Sequence, residues 1–238
     1  MKPKYSVIIP LKNEEESITH LIEEIDPVMA SVGAPWELLC IDDGSTDDTL
    51  KILQGLAESR PYLRILKFDR NYGQSSAFDA GFRNAQGEFI ITIDGDGQND
   101  PADIPTLIKE ADNYDLICGY RHNRKDPWSK KIPSFFANKI RSRLCEDGVS
   151  DTGCSLKLYR ASCLQRIKLF NGMHRFLPAL FNNEGFRIHE LPVNHRPRTH
   201  GKTKYNFFNR SFNTVADMLA VRWMRKRHLG YQIEKEMM

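Results

Sequence analysis

Three short apolar runs, each emptying into a polar loop, constrain the architecture of this chain more than any other feature. Tyr5-Ser6-Val7-Ile8-Ile9-Pro10 leads to Lys12-Asn13-Glu14-Glu15, and Leu38-Leu39-Cys40-Ile41 leads to Asp42-Asp43-Gly44-Ser45-Thr46-Asp47. Phe89-Ile90-Ile91-Thr92-Ile93 leads to Asp94-Gly95-Asp96-Gly97-Gln98. Runs of this kind read as buried strands. Helical patterns fall between them. Glu14 to Val32 carries Ile18, Leu21, Ile22 and Ile25 at helical spacing, with acids expected in its first turn. Ser45 or Thr46 is expected to cap a helix bearing Leu50, Ile52, Leu53 and Leu56. Leu63 to Phe68 predicts a strand, Gly73 to Ala85 a helix after a Gly-rich turn, and Leu116-Ile117-Cys118 another strand. The alternation predicts an α/β fold, with a mostly parallel sheet covered by helices on both faces. In such a sheet, ligands bind beyond the carboxyl ends of the strands.

The loop after Ile93 carries the chemistry. Residues two apart near a strand end project to the same side, so Asp94 and Asp96 can offer oxygens to one hard cation. Gly95 and Gly97 are expected to let a ligand approach the backbone. Mg²⁺ and Mn²⁺ bind through one or two carboxylates plus phosphate oxygens and water, so the loop reads as a metal–diphosphate site. Taken alone it reads equally as a solvated Asp/Gly turn. Three such loops in order shift the balance toward a ligand site.

The 238 residues suffice for one sizeable α/β domain, or for one domain plus an appendage. No run of about 18 apolar residues occurs, and no signal-peptide core precedes the first strand, from which a cytoplasmic protein is expected. Cys40, Cys118, Cys145, Cys154 and Cys163 lack C-x-x-C spacing and read as reduced structural thiols. The net charge of +3 conceals an asymmetry. Between Arg196 and His228 stand nine Lys and Arg residues against the single acid Asp217, and Arg121 to Arg143 is similarly basic. Such segregation implies an anionic partner. Ile132, Phe135, Phe136, Ile140 and Leu144 form one apolar stripe with basic flanks; Phe208, Phe212, Val215, Leu219 and Trp223 form another, ending in Arg225-Lys226-Arg227. A basic amphipathic helix with aromatics either lies in a membrane interface or packs on its own domain.

These residues resemble the family 2 glycosyltransferases of GT-A fold, in particular the dolichol- or polyprenol-phosphate mannose synthase branch. The matching pieces are Ile8-Ile9-Pro10 with Asn13-Glu14, Asp42 to Asp47, Asn71-Tyr72-Gly73, Ala80-Gly81-Phe82, and Asp94 to Gln98 with Pro101. Asp151 to Lys157 and Arg198-Thr199-His200-Gly201-Lys202-Thr203-Lys204-Tyr205 follow. The resemblance implies that Pro10, Lys12 and Glu14 line a nucleotide pocket, that Ile41 and Asp43 read base and ribose, and that Gly95 belongs to the donor site. It further implies that Asp94, Asp96 and Gln98 hold Mg²⁺ or Mn²⁺ with the diphosphate, while Arg198, Thr203 and Lys204 bind donor and acceptor phosphates. Arg121 and Arg124 are candidates for the same work. Lys12 stands where that branch often has Tyr, and Gly95 and Gly97 replace its usual Ala and Leu, an exchange expected to loosen the loop.

The expected reaction moves a hexose from a GDP- or UDP-sugar to polyprenyl phosphate, with inversion. A phosphate acceptor is already ionised and needs no strong base, only positioning and screening of two anions. A hydroxyl acceptor would need one, and Asp151 and Glu184 stand as candidates. A non-catalytic nucleotide-sugar sensor recruited to a membrane is the reading from another class. Nucleic-acid binding leaves the acidic loops unexplained, and a dinucleotide-binding dehydrogenase lacks its G-x-G-x-x-G. The expected division is a catalytic domain over residues 1–205, with a donor half 1–119 and an acceptor half 120–205, then an amphipathic helix and tail over 206–238. That helix is expected to hold the protein peripherally on the cytoplasmic face of an anionic membrane, with a separate integral-membrane protein as a further possible partner.

Overall fold

The computed structural model describes residues 2–122, 144–197 and 207–229. Its strands are β1 (Tyr5–Leu11), β2 (Trp36–Asp42), β3 (Leu63–Lys67), β4 (Phe89–Thr92), β5 (Leu116–Arg121), β6 (Lys157–Arg160) and β7 (Ile188–Val193). Among the described residues they form one sheet in the order β3-β2-β1-β4-β6-β5-β7. Every pairing is parallel except those of β6, which runs antiparallel to both β4 and β5. The mostly parallel α/β architecture thus matches the expectation. Strands β6 and β7 carry no long apolar run and escaped the periodicity reading.

Both faces of the sheet are covered, which is why its central strands are apolar on both sides. Val7, Ile9, Leu11, Leu38, Cys40 and Ile91 point into a core completed by α1 (Ile18–Ser31), α2 (Thr49–Glu58) and α4 (Ile104–Lys109). Ile8, Leu39, Ile41 and Ile90 point the other way, into a core shared with α3 (Gln74–Asn84), α5 (Ala161–Leu164), α6 (Leu177–Asn183) and α7 (Phe207–Lys226).

Two helix starts differ from expectation. Helix α1 begins at Ile18, so Glu14, Glu15 and Glu16 precede it and do not serve its dipole. They join loops instead: the Glu14 N–H donates to Thr49 Oγ1 at 2.8 Å, and Glu15 Oε2 accepts the Asp48 N–H at 2.8 Å. Helix α2 begins at Thr49, whose N–H donates to Asp47 Oδ1 at 3.1 Å. Ser45 and Thr46 therefore do not cap it. The Asn13 N–H donates to Ser45 Oγ at 3.0 Å, and Asn13 Oδ1 accepts the Thr46 N–H at 2.8 Å. Polar side chains that a linear reading assigns to helix ends are used to lock two neighbouring rim loops together.

Helix α3 sits close on the sheet because Gly81 lacks a side chain: a Cβ there would lie 2.7 Å from Ile8 Cγ2, itself fully buried and stiff at its branch. Gly81→Val is expected to destabilise the fold by about 1–3 kcal/mol through overpacking. At this chain length that lowers Tm by roughly 2–4 °C per kcal/mol. Thermal unfolding of the two proteins checks it; an unchanged Tm would contradict the packing.

Candidate functional site

The carboxyl ends of β1, β2, β4 and β5 meet at one edge, and antiparallel β6 starts there, with Lys157 opposite Thr92. A cleft of about 800 Å³ opens at this edge. It gathers Pro10, Lys12 and Glu14 from the end of β1, Asp43 beyond β2, Asp94, Gly95, Asp96 and Gln98 beyond β4, and Arg121 at the end of β5. A larger open cleft, about 1380 Å³, lies at the opposite edge near Lys4, Arg83 and Arg160. Its arginines are committed to carboxylates, Arg83 to Asp79 at 2.8 Å and Arg160 to Asp115 at 3.5 Å. It also lies at the amino ends of the parallel strands, away from where open α/β sheets place ligands. The smaller cleft is therefore the candidate site.

Asp94 sits half-buried at the mouth, densely surrounded by protein. Desolvation first, then the negative charge of Asp96, push its carboxyl up to about 6, against the opposing pull of Ser155, Lys157 and Arg121. Among the described residues no cluster of three His, Cys, Asp or Glu side chains could hold a metal. Asp94 and Asp96 both line the cleft, and carboxylates of this kind are candidate ligands for a hard divalent ion that completes its shell with phosphate oxygens and water. Gln74, at the first position of α3, donates to Asp94 Oδ1 at 2.9 Å and orients it.

The glycines of this loop act differently from expectation. A Cβ on Gly95 would lie 2.4 Å from Leu11 Cδ2, in the buried core. Gly95 thus permits the loop to pack on β1 and does not loosen it, and its carbonyl accepts the Ser17 hydroxyl at 2.8 Å. Gly97 has open space around it but a φ of +70°, a turn conformation that costs a side chain energy. Asp43 is buried, and its two oxygens accept the Tyr72 and Gly73 N–H groups at 2.6 and 2.9 Å. It therefore shapes the turn that starts α3. Ile41 is fully buried under α3, and Lys12 donates to the Gly44 carbonyl.

The loop also meets the exit of β7. Gln98 O accepts the Arg196 N–H at 2.8 Å, Asn99 bridges to His195, and Gln98 Nε2 lies 3.4 Å from both His195 Nε2 and the Arg196 carbonyl. Arg196 pairs with Glu24 and Asp100, each at 2.8 Å, and so clamps this segment to α1. The chain leaves the described residues at Pro197, beside the carboxylate loop. Arg124, Arg198, Thr203 and Lys204 lie outside the described residues, as do Ile132, Phe135, Phe136 and Ile140 of the first apolar stripe.

Several cleft residues were missed by the sequence reading. Lys157 is buried, donating to the Thr152 carbonyl at 3.3 Å and to the Cys154 carbonyl. Its position depends on β6, which had no periodic signal. Gln74, Ser155, His174 and Arg175 also line the cleft. Gln74 had a cue in its place directly after Gly73 at a helix start, and Ser155 and Lys157 had one in the matching stretch Asp151 to Lys157, to which no role was assigned. Neither candidate base is suited to take a proton. Glu184 is paired with Arg166 at 3.3 Å, away from the cleft. Asp151 grips Arg121 with both oxygens, at 2.7 and 2.8 Å.

Burial alone would raise the Asp151 carboxyl, but the Arg121 hydrogen bonds and charge outweigh it and hold the carboxyl at about 2, below its ordinary 3.8. A lowered folded value means that the ionised form favours the fold. That stability is fully present above pH about 4 and is lost as the pH falls through about 2. Asp151→Asn is expected to cost roughly 2 kcal/mol at neutral pH. Urea unfolding should show the gap between the two proteins narrowing below pH 4; a gap independent of pH would contradict the pairing.

Comparison with known proteins gives the family and the fold. The model of "Glycosyl transferase family 2" matches residues 6–168. The chain is 43% identical over 227 residues to a dodecaprenyl-phosphate galacturonate synthase of Rhizobium johnstonii, covering 91% of this chain and 65% of that protein. It is 37% identical over 218 residues to an undecaprenyl-phosphate 4-deoxy-4-formamido-L-arabinose transferase of Klebsiella pneumoniae, covering 91% and 66%. The chain thus spans just under two thirds of the length of these relatives. Its fold matches glucosyl-3-phosphoglycerate synthase of Mycobacterium tuberculosis, crystallised with Mn²⁺, UDP and glucosyl-3-phosphoglycerate, at a TM-score of 0.69 and 18% identity over 96% of this chain and 81% of that one. By its sequence match and by the residues gathered at the carboxyl edge of its sheet, the chain belongs to glycosyl transferase family 2.

Proposed function

We propose that this chain transfers a sugar from a nucleoside-diphosphate donor to a polyprenyl phosphate, with inversion at the anomeric carbon. The observation that carries the reading is the junction of Gln98 with Arg196. It brings the exit of β7, which runs on into Arg198, Thr203 and Lys204, to the rim where Asp94 and Asp96 stand. The relatives named as prenyl-phosphate sugar transferases support the acceptor class.

In this reading Asp94 and Asp96 hold Mg²⁺ or Mn²⁺, Gln98 stands beside them, and Pro10, Lys12, Glu14, Asp43 and Gly95 form the nucleotide side of the cleft, while Ile41, buried under α3, supports that side from the core and does not reach a base. A bound divalent cation would neutralise charge on the departing diphosphate. Arg121, fixed by Asp151, and buried Lys157 add positive potential where that charge accumulates. Arg198, Thr203, Lys204 and Arg124 receive the acceptor phosphate, Arg as a two-pronged donor and Lys as a point charge. An oxygen of that phosphate attacks the anomeric carbon as the bond to the diphosphate breaks, and no proton needs to be removed. The engagement of Asp151 with Arg121 accords with a site that employs no carboxylate base.

Among the described residues no helix is long and apolar enough to cross a membrane. Helix α7 buries Met218 and Val221 against the domain, while Val215, Leu219 and Trp223, spaced four apart, are 50%, 56% and 62% exposed. Phe208 and Phe212 fall in its first turns. Arg222, Lys226 and Arg227 accompany the stripe. Apolar side chains flanked by cations suit an anionic membrane surface, which would place the cleft beside its lipid acceptor.

Incubation with nucleotide sugars, Mn²⁺ and undecaprenyl phosphate is expected to give turnover, with Asp96→Ala lowering kcat by at least about 100-fold at unchanged Tm. Lys204→Ala should mainly raise the KM for the lipid phosphate, by about tenfold. Transfer only to sugar hydroxyls, or donor binding without turnover, would overturn the reading. Flotation with anionic vesicles tests the surface: the wild type is expected to float and Leu219→Asp/Trp223→Asp to stay soluble. Equal partitioning would remove the membrane assignment.

A further inference from the structure

We infer that Arg175, held by Thr214 of helix α7, is a positioning residue for the metal-binding carboxylate of the cleft. The inference rests on the functional reading above and adds a part of the chain that it does not use. Arg175 Nη1 donates to Thr214 Oγ1 at 2.5 Å, and Arg175 Nε donates to His174 Nε2 at 3.3 Å. A ring nitrogen that accepts carries no proton, so the His174 proton sits on Nδ1. Nδ1 lies 2.7 Å from Ser75 Oγ and donates to it, and the same oxygen accepts the Gly172 N–H at 2.9 Å. Ser75 is buried in the first turn of α3, next to Gln74, whose amide holds Asp94 Oδ1 at 2.9 Å.

The contacts form a continuous path from α7 to the carboxylate pair. Each link is directional. Arg175 selects the His174 tautomer, the tautomer selects the bond to Ser75, and Ser75 fixes the turn from which Gln74 reaches Asp94. The opposite side of the same turn is fixed independently, by Asp43 holding the Tyr72 and Gly73 N–H groups. With both sides pinned, the aim of Gln74 is set before any ligand arrives. Such preorganisation lowers the cost of gathering charge at the site. Helix α7 is thereby part of the donor-binding unit and not only a surface element. Asp217, one turn beyond Thr214, faces the same segment: its Oδ2 stands 2.6 Å from where a Gly172 Cβ would be, and its charge acts on Arg175.

The test compares Thr214→Val, which keeps the shape and removes the hydroxyl, with Thr214→Ser, which keeps the hydroxyl. Binding of UDP and of GDP to the whole chain is titrated calorimetrically at varied Mn²⁺ and without metal, and Tm is measured alongside. Thr214→Val is expected to raise the half-saturating Mn²⁺ concentration about fivefold, the equivalent of one ordinary hydrogen bond. Metal-free nucleotide binding should stay at the wild-type level, and Thr214→Ser should behave as wild type. A Thr214→Val chain with wild-type Mn²⁺ dependence overturns the inference. So does an equal loss of metal-free binding accompanied by a lower Tm, which is what a purely structural role produces. A wild-type chain that binds neither nucleotide overturns the functional reading itself, and this inference with it.

Discussion

The desolvation of the Asp94 carboxyl at the rim, with Asp96 beside it in sequence, is the constraint on which the candidate site depends. Desolvation first, and the Asp96 charge second, disfavour the ionised Asp94 carboxylate, and nearby fixed positive charge offsets part of that cost. The protein supplies part of that charge permanently. Lys157 is buried beneath the cleft and Arg121 is locked to Asp151, so both act on Asp94 before any ligand binds.

The sheet explains why such a cluster forms at one edge. Strands buried on both faces accept few charged groups along their length, and those, such as Glu37 with Arg64, are paired, so most polar side chains collect where the strands end. Parallel strands all end on the same side. Reversal of β6 adds Lys157 to that side from a strand's beginning, a position no parallel neighbour could offer. The rim loops are then tied laterally: Asn13 to Ser45 and Thr46, Asp43 to the turn before α3, and Gln98 to Arg196. These cross-links turn separate loops into one wall.

Much of this was legible from residue order. The runs ending at Pro10, Ile41 and Ile93 predicted strands that the fold contains, their apolar character reflecting burial on both faces, and the acidic residues after them pointed to the rim of the cleft. Strands β6 and β7 were not legible, because four to six half-apolar residues carry no period that distinguishes them from loop. Helix starts were displaced for a related reason. Ser45, Thr46 and Glu14 are good capping residues by type, but a neighbouring loop offered them better partners. Val215, Leu219 and Trp223 lie on the exposed side of α7, a facing set by Met218 and Val221 packing on the domain.

The sequence by itself determined the strand–helix alternation, the polar rim and the family, because these follow from apolar periodicity and from short motifs whose residues are neighbours along the chain. Only the tertiary structure decided that Gly95 is required by Leu11, that Asp151 is spent on Arg121, and that Lys157, His174 and Arg175 belong to the cleft. Each of those depends on contacts between residues far apart in sequence. Such contacts are set by packing and by competition among hydrogen-bond partners, and neither is encoded in local pattern.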